Sequence, residues 1–98
     1  MGAIPFACNG FGATAEEAFK DAVHRARCEY GNGGYSGSIA EKHSCVMVAD
    51  APMSLAAAVS LGDELIGADD ERISDKGGPA GAIELDTGGF YFFGWASF

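Results

Sequence analysis

Lys42-His43-Ser44-Cys45 sets a base beside two nucleophiles. The segment reads as a strand, where neighbouring side chains point to opposite faces, so His43 and Ser44 do not meet. His43 and Cys45 share a face, but a catalytic Cys/His pair is normally assembled from separated segments. Cys8, Cys28 and Cys45 are odd in number and contain no C-x-x-C pair, which argues against a disulfide framework and for reduced thiols. Their spacings match no zinc pattern; a Cys/His site can be drawn with His24 and His43, but any five such residues can be joined on paper, and buried, unreactive thiols are the expectation. The carboxylates of Asp63, Glu64, Asp69, Asp70, Glu71 and Asp75 crowd one stretch, yet the spacing of a calcium loop and its terminal Glu are absent. No catalytic residue, metal or cofactor is expected from this inventory. The chain reads as a binding protein rather than an enzyme.

A second candidate is the loop 31–38, Gly-Asn-Gly-Gly-Tyr-Ser-Gly-Ser. Gly33, Gly34 and Tyr35, with donors from Ser36 and Ser38, can form a nest of amides around an anion. The loop lacks both G-x-x-x-x-G-K-[ST] and G-x-G-x-x-G, and it follows a helix rather than a strand. Service in tight turns is the simpler reading of its glycines.

Charge narrows the partners. The net charge is −8 over 98 residues. Residues 50–98 hold Arg72 and Lys76 as their bases against nine acids. Nucleic-acid binders need a cationic footprint, so direct DNA or RNA binding is not expected. An acidic surface favours a basic protein partner and steers it on approach. No apolar run reaches the length of a membrane span, and the first residues have neither the basic nor the apolar region of an export signal. A cytoplasmic protein without membrane contact is therefore expected.

The elements that position these residues fit a single domain, 1–98. Ile4, Phe6 and Cys8 alternate as a short strand, with Pro5 placing it at an edge. Thr14-Ala15-Glu16-Glu17 spells a capping box. Ala15, Ala18, Phe19, Ala22, Val23, Ala26 and Tyr30 then form one helical stripe over 15–30. Ser38-Ile39-Ala40-Glu41 repeats the capping spelling and predicts a short helical turn. His43–Ala49 is apolar on both faces and predicts a central strand covered on both sides. Ser54 caps a second helix, 54–66, with Leu55, Ala58, Val59, Gly62 and Ile66 on its stripe and Leu61 and Leu65 beside it. Residues 67–79 read as a mobile surface connection. Ala80–Leu85 and Phe90–Phe98 flank Asp86-Thr87-Gly88-Gly89 as a hairpin. The pattern predicts an α+β fold: about four mostly antiparallel strands with two helices on the sheet. Phe19, Val23, Val46, Val48, Leu55, Val59 and Ile83 are expected in the core.

The last strand is the most aromatic segment. Phe90, Phe92, Ala96 and Phe98 fall on one face, and Tyr91, Phe93, Trp95 and Ser97 on the other. If both helices cover one face, Tyr91, Phe93 and Trp95 remain open for a partner or a second copy of the chain. Burial of that face inside the domain is the alternative.

Gly34-Tyr35-Ser36-Gly37-Ser38-Ile39-Ala40-Glu41-Lys42 resembles a stretch shared by small bacteriophage-encoded proteins, which carry Thr at the two Ser positions. Gly78-Pro79-Ala80-Gly81 and Phe92-Phe93-Gly94-Trp95-Ala96-Ser97 resemble segments near their C-termini. The resemblance runs from about residue 10 to 97, and Gly78 stands where those proteins carry Trp. A small acidic phage accessory protein implies one economical role: blocking a basic surface of a host defence protein, such as a CRISPR effector or another nuclease, in the host cytoplasm. The acids of 63–75 and Tyr91, Phe93 and Trp95 are then the expected contacts. Two alternatives remain open, an anion-sequestering module built on loop 31–38 and a homo-oligomeric accessory protein joined through the aromatic strand.

Overall fold

The computed structural model describes residues 3–30 and 37–97. Its elements are β1 (Ala3–Gly10), α1 (Ala15–Tyr30), a 3-10 turn (Ile39–Glu41), β2 (Cys45–Met47), α2 (Leu55–Gly67), β3 (Ala80–Glu84) and β4 (Phe90–Ser97). The fold is α+β, with a four-stranded sheet in the order β1-β4-β3-β2. β4 pairs antiparallel with both β1 and β3, and β2 runs parallel to β3. The parallel step follows from chain economy: α2 carries the chain from β2 back to the start of β3, as a crossover must.

Local signals account for most element boundaries. The Glu17 amide donates to the Thr14 hydroxyl at 3.2 Å, which starts α1. The Ser54 hydroxyl accepts the Ala57 amide at 3.2 Å and starts α2. The Ser38 hydroxyl accepts the Ala40 amide at 3.2 Å and starts the 3-10 turn. In the β3–β4 hairpin the Leu85 amide donates to the Gly89 carbonyl at 3.0 Å, and Gly88 and Gly89 take φ of 93° and 80°.

The two helices lie on opposite faces of the sheet. Ala18, Phe19, Ala22, Val23 and Ala26 of α1 pack with Ile39, Ala80, Ala82, Phe90 and Phe92. Phe19 meets Phe92 edge to face, with ring centroids 5.8 Å apart. The other core joins Ala58 of α2 to Ile73, Ile83, Leu85, Tyr91 and Phe93. This three-layer arrangement corrects the expectation of an open aromatic face. Tyr91 and Phe93 are only 5% and 1% exposed, because one helix goes to each side.

Further expectations change for the same reason. Phe19, Val23 and Ile83 are buried, but Val46 and Val48 are half-buried. β2 is an edge strand of three residues rather than a central one. Leu55 and Val59 are 46% and 37% exposed. Ala58, Gly62 and Ile66 of the expected stripe do turn inward, with Leu61 and Leu65 beside them, and the small residues let α2 approach the Tyr91 and Phe93 rings. The connection 68–79 is not a loose loop: Ile73 within it is fully buried.

Candidate functional site

α2 covers the middle of its face of the sheet but leaves a groove of about 400 Å³ between its C-terminal half and β1. Tyr91 and Phe93 border the groove beside Gly62, with Pro5, Phe6 and Ala7 on the β1 side and Asp63 and Ile66 on the α2 side. The two rings stack with centroids 6.0 Å apart. Burial, and then the nearby Asp63 charge, push the Tyr91 phenol above its usual range. The groove thus joins an apolar wall to a carboxylate. It unites three of the expected contacts, Asp63, Tyr91 and Phe93, although the rings now contribute edges rather than an open face.

The other expected contacts do not line this groove. Glu64, Asp69 and Glu71 are exposed. Among the described residues Asp63, Glu64, Asp69 and Glu71 make no ion pair. Asp70 differs: its carboxylate accepts the Arg72 guanidinium at 3.0 and 3.2 Å and the Arg72 amide at 2.9 Å. The side-chain bond to Arg72, more than any other cause, holds the Asp70 carboxyl below its usual range. The acidic run is therefore partly neutralised. Asp75 turns its carboxylate to the Gly77 amide at 2.8 Å. Trp95 is half-buried, and its Nε1 is buried with no hydrogen-bond partner among the described residues.

Sequence reasoning missed the device that holds this run in place. Lys42 is 3% exposed, and its Nζ donates to the Lys76 carbonyl at 3.0 Å and the Asp75 carbonyl at 3.4 Å. Burial lowers its affinity for the proton, against the opposing charges of Asp75 and Glu41. The preceding Glu41 accepts the Gly37 amide at 2.7 Å and the Ser97 amide at 2.8 Å, tying the 3-10 turn to the end of β4. The adjacent Glu41-Lys42 pair, opposite in charge and following a capping serine, was the available signal.

Gly33, Gly34, Tyr35 and Ser36 of the candidate anion loop lie outside the described residues. Ser38 is buried and serves as the cap of the 3-10 turn. The cysteines divide: Cys8 and Cys45 are half-buried, whereas Cys28 is exposed, against the expectation of three buried thiols. Burial pushes the Cys8 thiol up to about 11 and raises Cys45 too. No group of three or more His, Cys, Asp or Glu among the described residues is arranged to hold a metal ion. Among them also, no helix is long and apolar enough to cross a membrane. The sequence matches no protein-family model, and no curated protein or solved structure matches the chain.

Proposed function

We propose that this protein is a non-catalytic inhibitor that docks its α2 face onto a cationic surface of a partner protein. The observation that carries the reading is the groove where Asp63 stands beside the edges of Tyr91 and Phe93, next to the exposed acids Glu64, Asp69 and Glu71. An Arg or Lys of the partner can lay its apolar stem along Pro5, Ala7 and Ile66, above the buried rings, and its charged head against Asp63. The surrounding acids steer the encounter without contributing much to the final contact. The resemblance to bacteriophage-encoded proteins points to a host defence effector with a nucleic-acid channel as that partner, and the proposed setting is the host cytoplasm.

The experiment separates approach from contact. A partner captured from bacterial lysate is taken into a kinetic binding assay at two ionic strengths. Replacing Glu64, Asp69 and Glu71 by Gln, Asn and Gln should slow association and flatten its salt dependence. Asp63→Asn should instead speed dissociation, by about tenfold or more if the charge it contacts becomes desolvated. Asp70 is left intact because Arg72 already neutralises it. Equal association rates for parent and triple variant at low salt would remove the steering role. An unchanged dissociation rate for Asp63→Asn would remove the groove.

A further inference from the structure

On the opposite face of the sheet the charge reverses. Half of the chain's six Lys and Arg residues, and both of its histidines, line one groove of about 300 Å³. Lys20, His24 and Arg27 come from one side of α1, spaced i, i+4, i+7, which puts them on one helix face. Lys42 and His43 come from the segment entering β2, with Phe19 and Val23 completing the lining. In a chain of net charge −8 this is a local inversion of sign. Two nearby carboxylates, Glu41 on the Gly37 and Ser97 amides and Asp75 on the Gly77 amide, are held by backbone donors, and their charges act on Lys42. His24 Nε2 lies 3.8 Å from the Cys28 sulfur.

A second hollow of about 450 Å³ adjoins the first, and Phe19, Lys20 and His43 line both. Its other walls are Ala15, Cys45 and Met47, with Ser44 and Glu16 beside them. Met47 is exposed and Cys45 half-buried, so the hollow presents an apolar, polarizable surface at the β2 edge. Glu16 is its one acid, and it lies 3.5 Å from Lys20.

The geometry points to a binding site for a small phosphate ester with a planar or apolar body. The phosphoryl group occupies the groove of Lys20, His24, Arg27 and His43, and the body lies along Phe19, Cys45 and Met47. A dianion suits the site better than a single carboxylate, because several cationic or donor side chains converge from two elements. Together the hollows have the size of a small-molecule site, apolar at one end with convergent polar groups at the other. Lys42 closes the base, its ammonium held by the Asp75 and Lys76 carbonyls and its charge offset by Asp75 and Glu41, so the ligand's charge is met by Lys20 and Arg27 with the two histidines. Glu16 competes with the ligand for Lys20.

The test is a titration of the isotopically labelled protein with phenyl phosphate, inorganic phosphate and benzyl alcohol, followed by amide and histidine NMR shifts. Phenyl phosphate should saturate in the millimolar range or below, moving the signals of Lys20, His24, Arg27, His43, Cys45 and Met47. Inorganic phosphate should bind more weakly and move the cationic groove alone, and benzyl alcohol should be weaker still. Lys20→Gln and Arg27→Gln should each weaken phenyl phosphate about tenfold, a loss of about 1.4 kcal/mol. Glu16→Gln should tighten it, a gain that no loss of folding would mimic. Arg25→Gln, on the other flank of α1, should leave it unchanged. The site is overturned by shifts that never saturate, or that spread evenly to Arg25, Arg72 and Lys76. Unaltered binding in the Lys20 and Arg27 variants would overturn it equally. Equal affinity for phosphate and phenyl phosphate would refute the role given to the apolar hollow.

Discussion

Replacing Gly81 by Ala probes the contact that closes the aromatic face. Gly81 of β3 stands opposite Phe93 of β4, and the ring crosses directly over it. A Cβ at Gly81 would lie 2.6, 2.8 and 3.0 Å from Cζ, Cε1 and Cε2 of that ring. Carbon atoms rest about 3.5–4.0 Å apart, so the ring must retreat by about 1 Å. It has little room. A Cβ on Gly62 of α2 would already stand 3.3 Å from Phe93 Cγ and 3.1 Å from Tyr91 Cε2. The displaced ring therefore pushes on the helix. Overpacking of this kind costs about 1–3 kcal/mol, against which Ala recovers about 0.5–1 kcal/mol of the entropy penalty of a strand glycine. Gly81→Ala should destabilise by about 1–2 kcal/mol, lowering the melting temperature by about 5–15 °C for a domain of this size. Two companions calibrate the result. Gly67→Ala, with nothing within 4 Å of the new Cβ, should stabilise by up to about 1 kcal/mol through helix propensity. In Gly62→Ala the same propensity gain meets the tight ring contacts, and the net change should stay within about 1 kcal/mol of zero. Urea unfolding read by circular dichroism and by the fluorescence of the single Trp gives the order. A Gly81→Ala variant as stable as the parent would refute the placement of Phe93 between the sheet and α2.

Exposed Cys28 should alkylate first with iodoacetamide at mildly alkaline pH, with Cys8 last, since its thiol is pushed up to about 11; intact-mass spectrometry of each intermediate checks the order. Trp95→Phe removes an Nε1 that has no acceptor among the described residues, so it should be neutral or slightly stabilising. A loss above about 1 kcal/mol in urea unfolding would show that the indole is partnered after all. The raised Cys8 thiol contributes stability below pH 9.0 that disappears as pH climbs toward about 11, because the unfolded chain ionises first. Lys42, lowered in the fold, acts in the opposite sense and returns stability as pH approaches 10.5. Cys8→Ala should therefore lose less stability than the parent over that alkaline window, measured by urea midpoints; identical slopes would contradict the assignment.

Local signals in the sequence were legible where one residue satisfies its own neighbour. Thr14, Ser38 and Ser54 mark helix starts because a short hydroxyl reaches an amide two or three positions ahead regardless of tertiary context. The hairpin at 86–89 and the α1 stripe were legible for a similar reason. What the pattern left open was which face each helix covers. A stripe shows that a helix buries one side, and it carries no record of which side of the sheet receives it. The α2 stripe is borne out at Ala58 and Gly62 and fails at Leu55 and Val59, because the rings it meets are large and the small residues make the contact. β2 misled because its apolar residues serve an edge strand rather than a centre. At the candidate site, the acids and aromatics were visible as residue types, whereas their meeting at Asp63, Tyr91 and Phe93 depends on helix placement.

The acidic run also carries an energetic question: why its repulsion does not loosen the segment that bears it. Arg72 neutralises Asp70 at one point, and the remaining acids point outward from a chain fastened at two others. Ile73 is sunk fully into the core beneath α2. Two residues later, the Lys42 ammonium grips the Asp75 and Lys76 carbonyls from the 3-10 turn side of the molecule. Those anchors oppose the like-charge repulsion, which is modest at exposed sites and screened by salt. They also bear on binding. A mobile acidic loop would steer a partner equally well, but it would lose conformational freedom on docking. A fastened one has already lost that freedom during folding. The same Lys42 lines the base of the cationic groove, so a single buried lysine fixes the acidic connection and borders the opposite pole. Charge segregation across the sheet is thus a consequence of where the two helices sit, with α2 and its acids on one face and the basic side of α1 on the other.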